Sequence, residues 1–150
     1  MTIWMNFLGP GFTLIVPSDW LIQATPEIQV IFLAPETNQM LQTNLMITLR
    51  PVEPSVTVVD IAAFLKETQQ TDYAEFVLTR EQPINAGTIA GIERMFQWVD
   101  RAENMRVGQC QGIFVHQEVL FTLTITYALE EKERIQPIFD EIVDSLRLVE

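Results

Sequence analysis

Val119, Phe121, Leu123, Ile125 and Tyr127 alternate with Leu120, Thr122, Thr124 and Thr126 near the end of this chain. Side chains along a strand point to opposite faces in turn, so a period of two over nine residues predicts a β-strand with one buried face. The residues before it extend the pattern into a meander. Residues 76–80 read as a strand, Asn85-Ala86-Gly87 as a turn, residues 88–99 as a long strand, and residues 100–104 as the turn into a strand over 105–116. Gln117-Glu118 then turns the chain into the threonine-rich strand, residues 119–128. A two-residue turn there sets His116 opposite Val119.

That register sorts the hairpin into two faces. One carries Cys110, Phe114, Val119, Phe121, Leu123, Ile125 and Tyr127, and is expected to lie under the helices. The other carries Met105, Val107, Gln109, Gln111, Ile113 and Val115 beside Leu120, Thr122, Thr124 and Thr126. Methionine, aliphatic and small polar side chains together make an adaptable surface for an apolar partner, so these ten residues are the candidate partner-binding site. The alternative is that the N-terminal segment, a loop or a second copy covers them. Met95, Phe96 and Trp98 adjoin this region, but a one-residue change in the 100–104 turn swaps their faces, and both assignments stay open.

The first half supplies further strands at residues 12–16, 28–33 and 45–50, punctuated by Pro, Asn, Glu and Thr. Thr57 with Asp60 three positions on has capping-box spacing and opens a helix that ends near Gln70, with Val58, Ile61, Ala62 and Leu65 on one face. A second helix spans residues 131–146, where Ile135, Ile138, Phe139, Ile142, Val143 and Leu146 form an apolar stripe. Consecutive strands with two helices give an α+β class. We expect one domain over residues 1–150, with an antiparallel sheet of six or seven strands and helices packed on it.

Charge narrows the partners. With 20 acidic and 9 basic residues the net charge is −11, which repels a phosphate backbone and excludes nucleic acid as a natural partner. Arg94, Arg101 and Arg106 alternate with Glu93, Asp100 and Glu103, the pattern of a solvated, salt-bridged hairpin. No Lys or Arg precedes Arg50, so Met1 to Leu8 lacks the positive start of a secretory signal. No apolar run approaches the ~20 residues of a membrane span. The lone Cys110 provides neither a lipid-anchor cysteine near the N-terminus nor a disulfide. A cytoplasmic location is the expectation.

Nothing in the sequence assembles a reaction centre. His116 sits at a turn, and the serines Ser18, Ser55 and Ser145 lie outside any nucleophile elbow. Cys110 and His116, six residues apart on one strand, are held about 20 Å from each other. One histidine and one cysteine do not make a zinc site, and no calcium-loop spacing is present. The expectation is therefore no enzyme activity, no metal and no cofactor.

Phe12, Leu14, Pro17 and Trp20 have the spacing Phe-x-Leu-x-x-Pro-x-x-Trp, followed by a mid-chain helix, Gly91 before a long strand pair, a threonine-rich last strand and a terminal amphipathic helix. That order of parts resembles the PsbP/DcrB-like superfamily, which includes photosystem II PsbP proteins, DcrB-type bacterial lipoproteins and the EagR-type chaperones of type VI secretion effectors. The resemblance implies an antiparallel sheet flanked by helices. Through the EagR type it implies a non-catalytic, chaperone-like protein that shelters an apolar segment of a protein client, often as a homodimer. The alternative it implies is a PsbP-like accessory or assembly factor of a photosynthetic or envelope membrane complex.

Overall fold

The computed structural model describes residues 1–24, 29–35 and 41–149. Five strands come first: β1 (Trp4–Gly9), β2 (Phe12–Pro17), β3 (Leu21–Ala24), β4 (Gln29–Leu33) and β5 (Asn44–Pro51). Helix α1 (Val58–Asp72) follows, then the meander β6 (Ala74–Ala86), β7 (Ile89–Asp100), β8 (Met105–His116) and β9 (Val119–Ala128). Helix α2 (Lys132–Ser145) and a two-residue β10 (Arg147–Leu148) close the chain. The expected α+β class with an antiparallel sheet is what the chain adopts. Seven strands pair in the order β3-β4-β5-β9-β8-β7-β6, and a small sheet pairs β1-β2-β10.

The strand pair at the centre matches its sequence pattern. His116 stands opposite Val119 and Phe114 opposite Phe121, across a turn in which Gln117 and Glu118 have φ of 51° and 63°. Such left-handed pairs twist with the strands they join, and here two non-glycine residues adopt that conformation. Gly108 lies opposite Tyr127, whose ring would sit 2.4 Å from any Cβ there. That close approach is the reason for glycine within the strand.

Several boundaries differ from the sequence expectation. β6 runs through residues 74–86 as one strand with two register shifts, so of the expected Asn85-Ala86-Gly87 turn only Gly87, φ 63°, lies in the turn, followed by Thr88. β1, β3 and β10 have no counterpart in the sequence reading. Ile28, expected to begin a strand, lies outside the described residues, and β4 starts at Gln29.

The large sheet has an inner face against α2 and the small sheet. Leu45, Ile47, Leu123, Ile125, Phe114 and Phe121 point there with at most 2% of their surface exposed. Phe12 of β2 meets Phe121 edge-on with ring centroids 5.1 Å apart. The α2 stripe is buried as expected, with Ile135, Phe139, Ile142 and Leu146 wholly enclosed. Both helices were expected on this face, and for α1 that expectation is wrong. The Gln69 side chain of α1 bonds Arg94, which pairs in register with Gln111 on the outer face. Capping by the reciprocal Thr57–Asp60 bonds at 3.2 and 3.0 Å starts α1 where the sequence placed it. The chain's crossing after β5, however, carries it over β6, β7 and β8 on the far side.

Phe139→Ala should destabilise the protein by about 3–5 kcal/mol, since it removes a wholly buried ring from the contact between α2 and the sheet. Urea denaturation checks this. A midpoint equal to wild type would mean that α2 does not carry the inner face.

Candidate partner-binding face

The outer face of the large sheet is divided by α1 into a covered part and an open part. Over β7 and β8 the covered part contains Arg94, Phe96, Val107, Gln111 and Ile113, all buried. Trp98 lies on the same face, whereas Met95 points inward and its sulfur accepts from Gln136 of α2. The turn length that the sequence left open thus places Phe96 and Trp98 outside and Met95 inside.

Arg94 is the least expected member. Instead of solvating a hairpin, its side chain has no exposed surface. Its Nη1 donates to Gln69 Oε1 at 2.9 Å and to Gln111 Oε1 at 3.1 Å, and its Nε to Glu81 Oε2 at 3.4 Å. The guanidinium stands 5.1 Å from the Phe96 ring centroid, and Nη2 has no partner among the described residues. Loss of water lowers its pKa from the ordinary arginine value, and the Glu81 bond opposes that. Adjacent Glu93 points to the inner face, where Arg80 Nε and Gln82 Nε2 each donate to it at 3.0 Å. Arg101 and Arg106 remain exposed, as expected of the hairpin tip.

The ten candidate residues therefore split. Val107, Gln111 and Ile113 are buried on the α1 side, and Ile113 has no exposed surface at all. The sequence reading expected Ile113 to be at least partly exposed, and its complete burial differs from that expectation. Met105, Gln109, Val115, Leu120, Thr122, Thr124 and Thr126 are half-buried. β5 and β4 widen this open part with Met46, Thr48, Ile31 and Leu33, residues the sequence reading did not include. No local signal could have found them, because their membership depends on β5 pairing with β9 across more than seventy residues.

Polar atoms on the open part are paired with each other. Trp98 Nε1 donates to Gln109 Oε1 at 2.8 Å, and Gln109 Nε2 donates to Thr126 Oγ1 at 3.0 Å. Gln111 Nε2 donates to Thr124 Oγ1 at 3.2 Å, and the Thr48 and Thr122 hydroxyls bond each other. No charged side chain projects from the outer face of β8 or β9, and on β5 only Arg50 does so, at its far end.

The reactive residues sit elsewhere. Cys110 is enclosed in the inner layer, its sulfur 3.7 Å from the Tyr127 hydroxyl. Burial pushes its thiol up to about 12, and the Tyr127 hydroxyl is pushed up as well. His116 stands on the same inner side at the end of β8, near Leu49, Phe121 and Leu148. Among the described residues no group of His, Cys, Asp and Glu could hold a metal ion, and no helix is long and apolar enough to cross a membrane.

Comparison with known proteins agrees with the fold. The DcrB family model matches residues 13–145. LpqN of Mycobacterium tuberculosis, involved in cell envelope biogenesis, superposes with a TM-score of 0.74 at 11% identity, covering 100% of this chain and 91% of its own. The cyanobacterial PsbP of Synechocystis, CyanoP, gives 0.71 at 13% identity, covering 99% of this chain and 94% of its own. The Ran-binding protein Mog1p of Saccharomyces cerevisiae gives 0.69 at 12%, covering 100% and 97%. No curated protein matches by sequence.

Two outcomes follow from Arg94 and Cys110. Arg94→Ala should cost about 2–5 kcal/mol, because it leaves a cavity under α1 and strands the Gln69 and Gln111 carbonyls, while Arg94→Met, which fills the space, should cost less. Amide exchange should then rise in α1 more than in β9; an equal rise in both would show that Arg94 does not fasten the helix. Iodoacetamide at pH 8 should label Cys110 only after denaturation. A folded thiol that keeps its proton longer than the unfolded one, ordinarily near 9.0, makes stability fall as pH rises from there through about 12. Cys110→Ala should remove part of that alkaline loss, measured as melting temperature against pH.

Proposed function

The chain belongs to the DcrB family, within the PsbP/DcrB-like superfamily, and on that premise we propose that it is a non-catalytic binding protein whose open sheet face shelters an apolar segment of a protein partner. The observation that carries this reading is the mutual pairing of the polar groups there. Covering a hydroxyl or amide with an apolar surface costs a few kcal/mol when it loses water without a replacement bond. Gln109, Gln111, Thr122, Thr124 and Thr126 already bond to neighbours, so an apolar segment can lie over them with few bonds to water lost. Met46, Ile31, Leu33 and Leu120 give that segment apolar contact.

A chaperone-like role in the cytoplasm, holding a client until it is passed on, is the finer form of this proposal. Mog1p, a Ran-binding protein on the same fold, supports protein as the class of partner. The PsbP-like alternative, an accessory or assembly factor of a membrane complex, draws on the CyanoP fold alone, and no residue of the open face favours it. Buried Cys110 and its distance from His116 support the non-catalytic reading.

A leucine–alanine helical peptide with lysine ends is a direct probe. Binding at high salt should change the emission of Trp98, which reaches the open face through Gln109 and Thr126. Thr124→Glu, a charge at a half-buried site, should weaken the peptide by about tenfold or more, equivalent to ~1.4 kcal/mol, and leave the circular dichroism spectrum unchanged. Equal binding by wild type and variant, or none by wild type, would refute the reading.

A further inference from the structure

The outer edge of β1 has the composition and geometry of a pairing strand. Among the described residues no strand lies beside it, because β1 is the end of the small sheet. Sheet edges are ordinarily guarded by charge, proline, bulges or shortness. The large sheet follows that rule: β6 carries Arg80, Glu81, Pro83 and two register shifts, and β3 has four residues. By contrast, β1 reads Trp-Met-Asn-Phe-Leu-Gly, six residues without a charge, a proline or a shift. No charged side chain precedes Asp19, and Ile3 and Leu8 are 70% and 81% exposed.

The ladder to β2 shows which backbone groups face outward. Ser18 N–H donates to the Ile3 carbonyl at 2.8 Å, so in the register Met5–Val16 and Phe7–Leu14 the odd residues of β1 direct their groups to β2. Trp4, opposite Pro17 with its missing N–H, belongs to the alternate set with Asn6 and Leu8. Their N–H and C=O groups point away from β2.

We propose that β1 pairs antiparallel with β1 of a second copy, about a two-fold axis at Asn6, joining the two small sheets into one. Occupancy by a second copy, rather than another protein, rests on self-complementarity. Centring on Asn6 makes Asn6–Asn6 and both Trp4–Leu8 pairs the hydrogen-bonded ones, so every outward group of the three residues finds a partner. Side chains match in the same register: Trp4 against Leu8, Met5 against Phe7, amide against amide. The protein carries a net charge of −11, so two copies repel over most of their surface, and this uncharged edge is where they approach at least cost. The dimer stands independently of what occupies the open face of the large sheet.

Sedimentation equilibrium of the full chain over a concentration series tests it. Wild type should form a dimer, and Leu8→Lys and Asn6→Pro should each lose it with unchanged circular dichroism. Asn6→Pro removes only an outward N–H. Leu21→Lys on the exposed edge of β3 should remain dimeric. Register is tested by oxidation, with the buried Cys110 silent. Asn6→Cys should cross-link, its pair of Cα atoms standing about 5.5 Å apart. Leu8→Cys should not, since the two copies of position 8 lie roughly 13 Å apart. A monomeric wild type, a dimer surviving Leu8→Lys, or equal cross-linking at both positions would overturn the proposal.

Discussion

The contact of Phe12 with Phe121 holds the two sheets to one another, and the rest of the arrangement follows from it. Phe12 also meets Phe7 at 5.9 Å, Phe7 meets Phe32 edge-on at 5.0 Å, and Phe121 meets Phe114 at 6.3 Å between centroids. This aromatic chain crosses from the small sheet to β4, β9 and β8, and α2 closes over it with Phe139 and Ile142. Dense packing there concentrates apolar burial, and hence stability, on the inner face. The outer face is released from that duty over β9, β5 and β4.

Where the outer face is covered, the covering is fastened differently. Only Ala62 and Gln69 of α1 are buried, while Val59 and Phe64 are 65% exposed. So modest an apolar interface leaves much of the docking to Arg94, which bonds α1 and β8 together from β7. A buried guanidinium adds little net stability compared with an apolar residue of the same shape, yet it is costly to leave without partners. Its geometry therefore specifies position: α1 sits over β6, β7 and β8, where Gln69 and Gln111 can both reach the same nitrogen. The extent of the open face is set by that choice.

The period-two run in β9 made the strand, its buried face and its turn legible from sequence, as did the Thr57–Asp60 box and the α2 stripe. These features are local, and each side chain's role is decided within a few residues. The side on which α1 packs is not local, because it depends on how the chain crosses after Pro51. The fate of Arg94 followed from that crossing. Glu93 and Arg94 alternate in sign like a surface pair, but neighbours in a strand face opposite ways, so they join separate networks on separate faces. The open face was half legible: β8 and β9 gave Gln109 and the threonines, whereas Met46 and Thr48 arrived through long-range pairing.

Charge distribution ties the two surfaces together. The protein is strongly acidic, yet two regions lack ionised side chains: the threonine face and the single strand edge of β1. They differ in what they leave unsatisfied. On the threonine face the side chains bond one another, so a partner needs to bring only apolar contact, and shape rather than a fixed hydrogen-bond pattern decides what fits. At β1 the unpaired groups belong to the backbone, so a partner must be an extended strand in register. The first surface suits varied clients and the second a single, self-matching one. An open face tolerant of many apolar sequences is also a hazard for self-association, and an edge that commits copies to one defined pairing, on the other side of the core, leaves that face free in both.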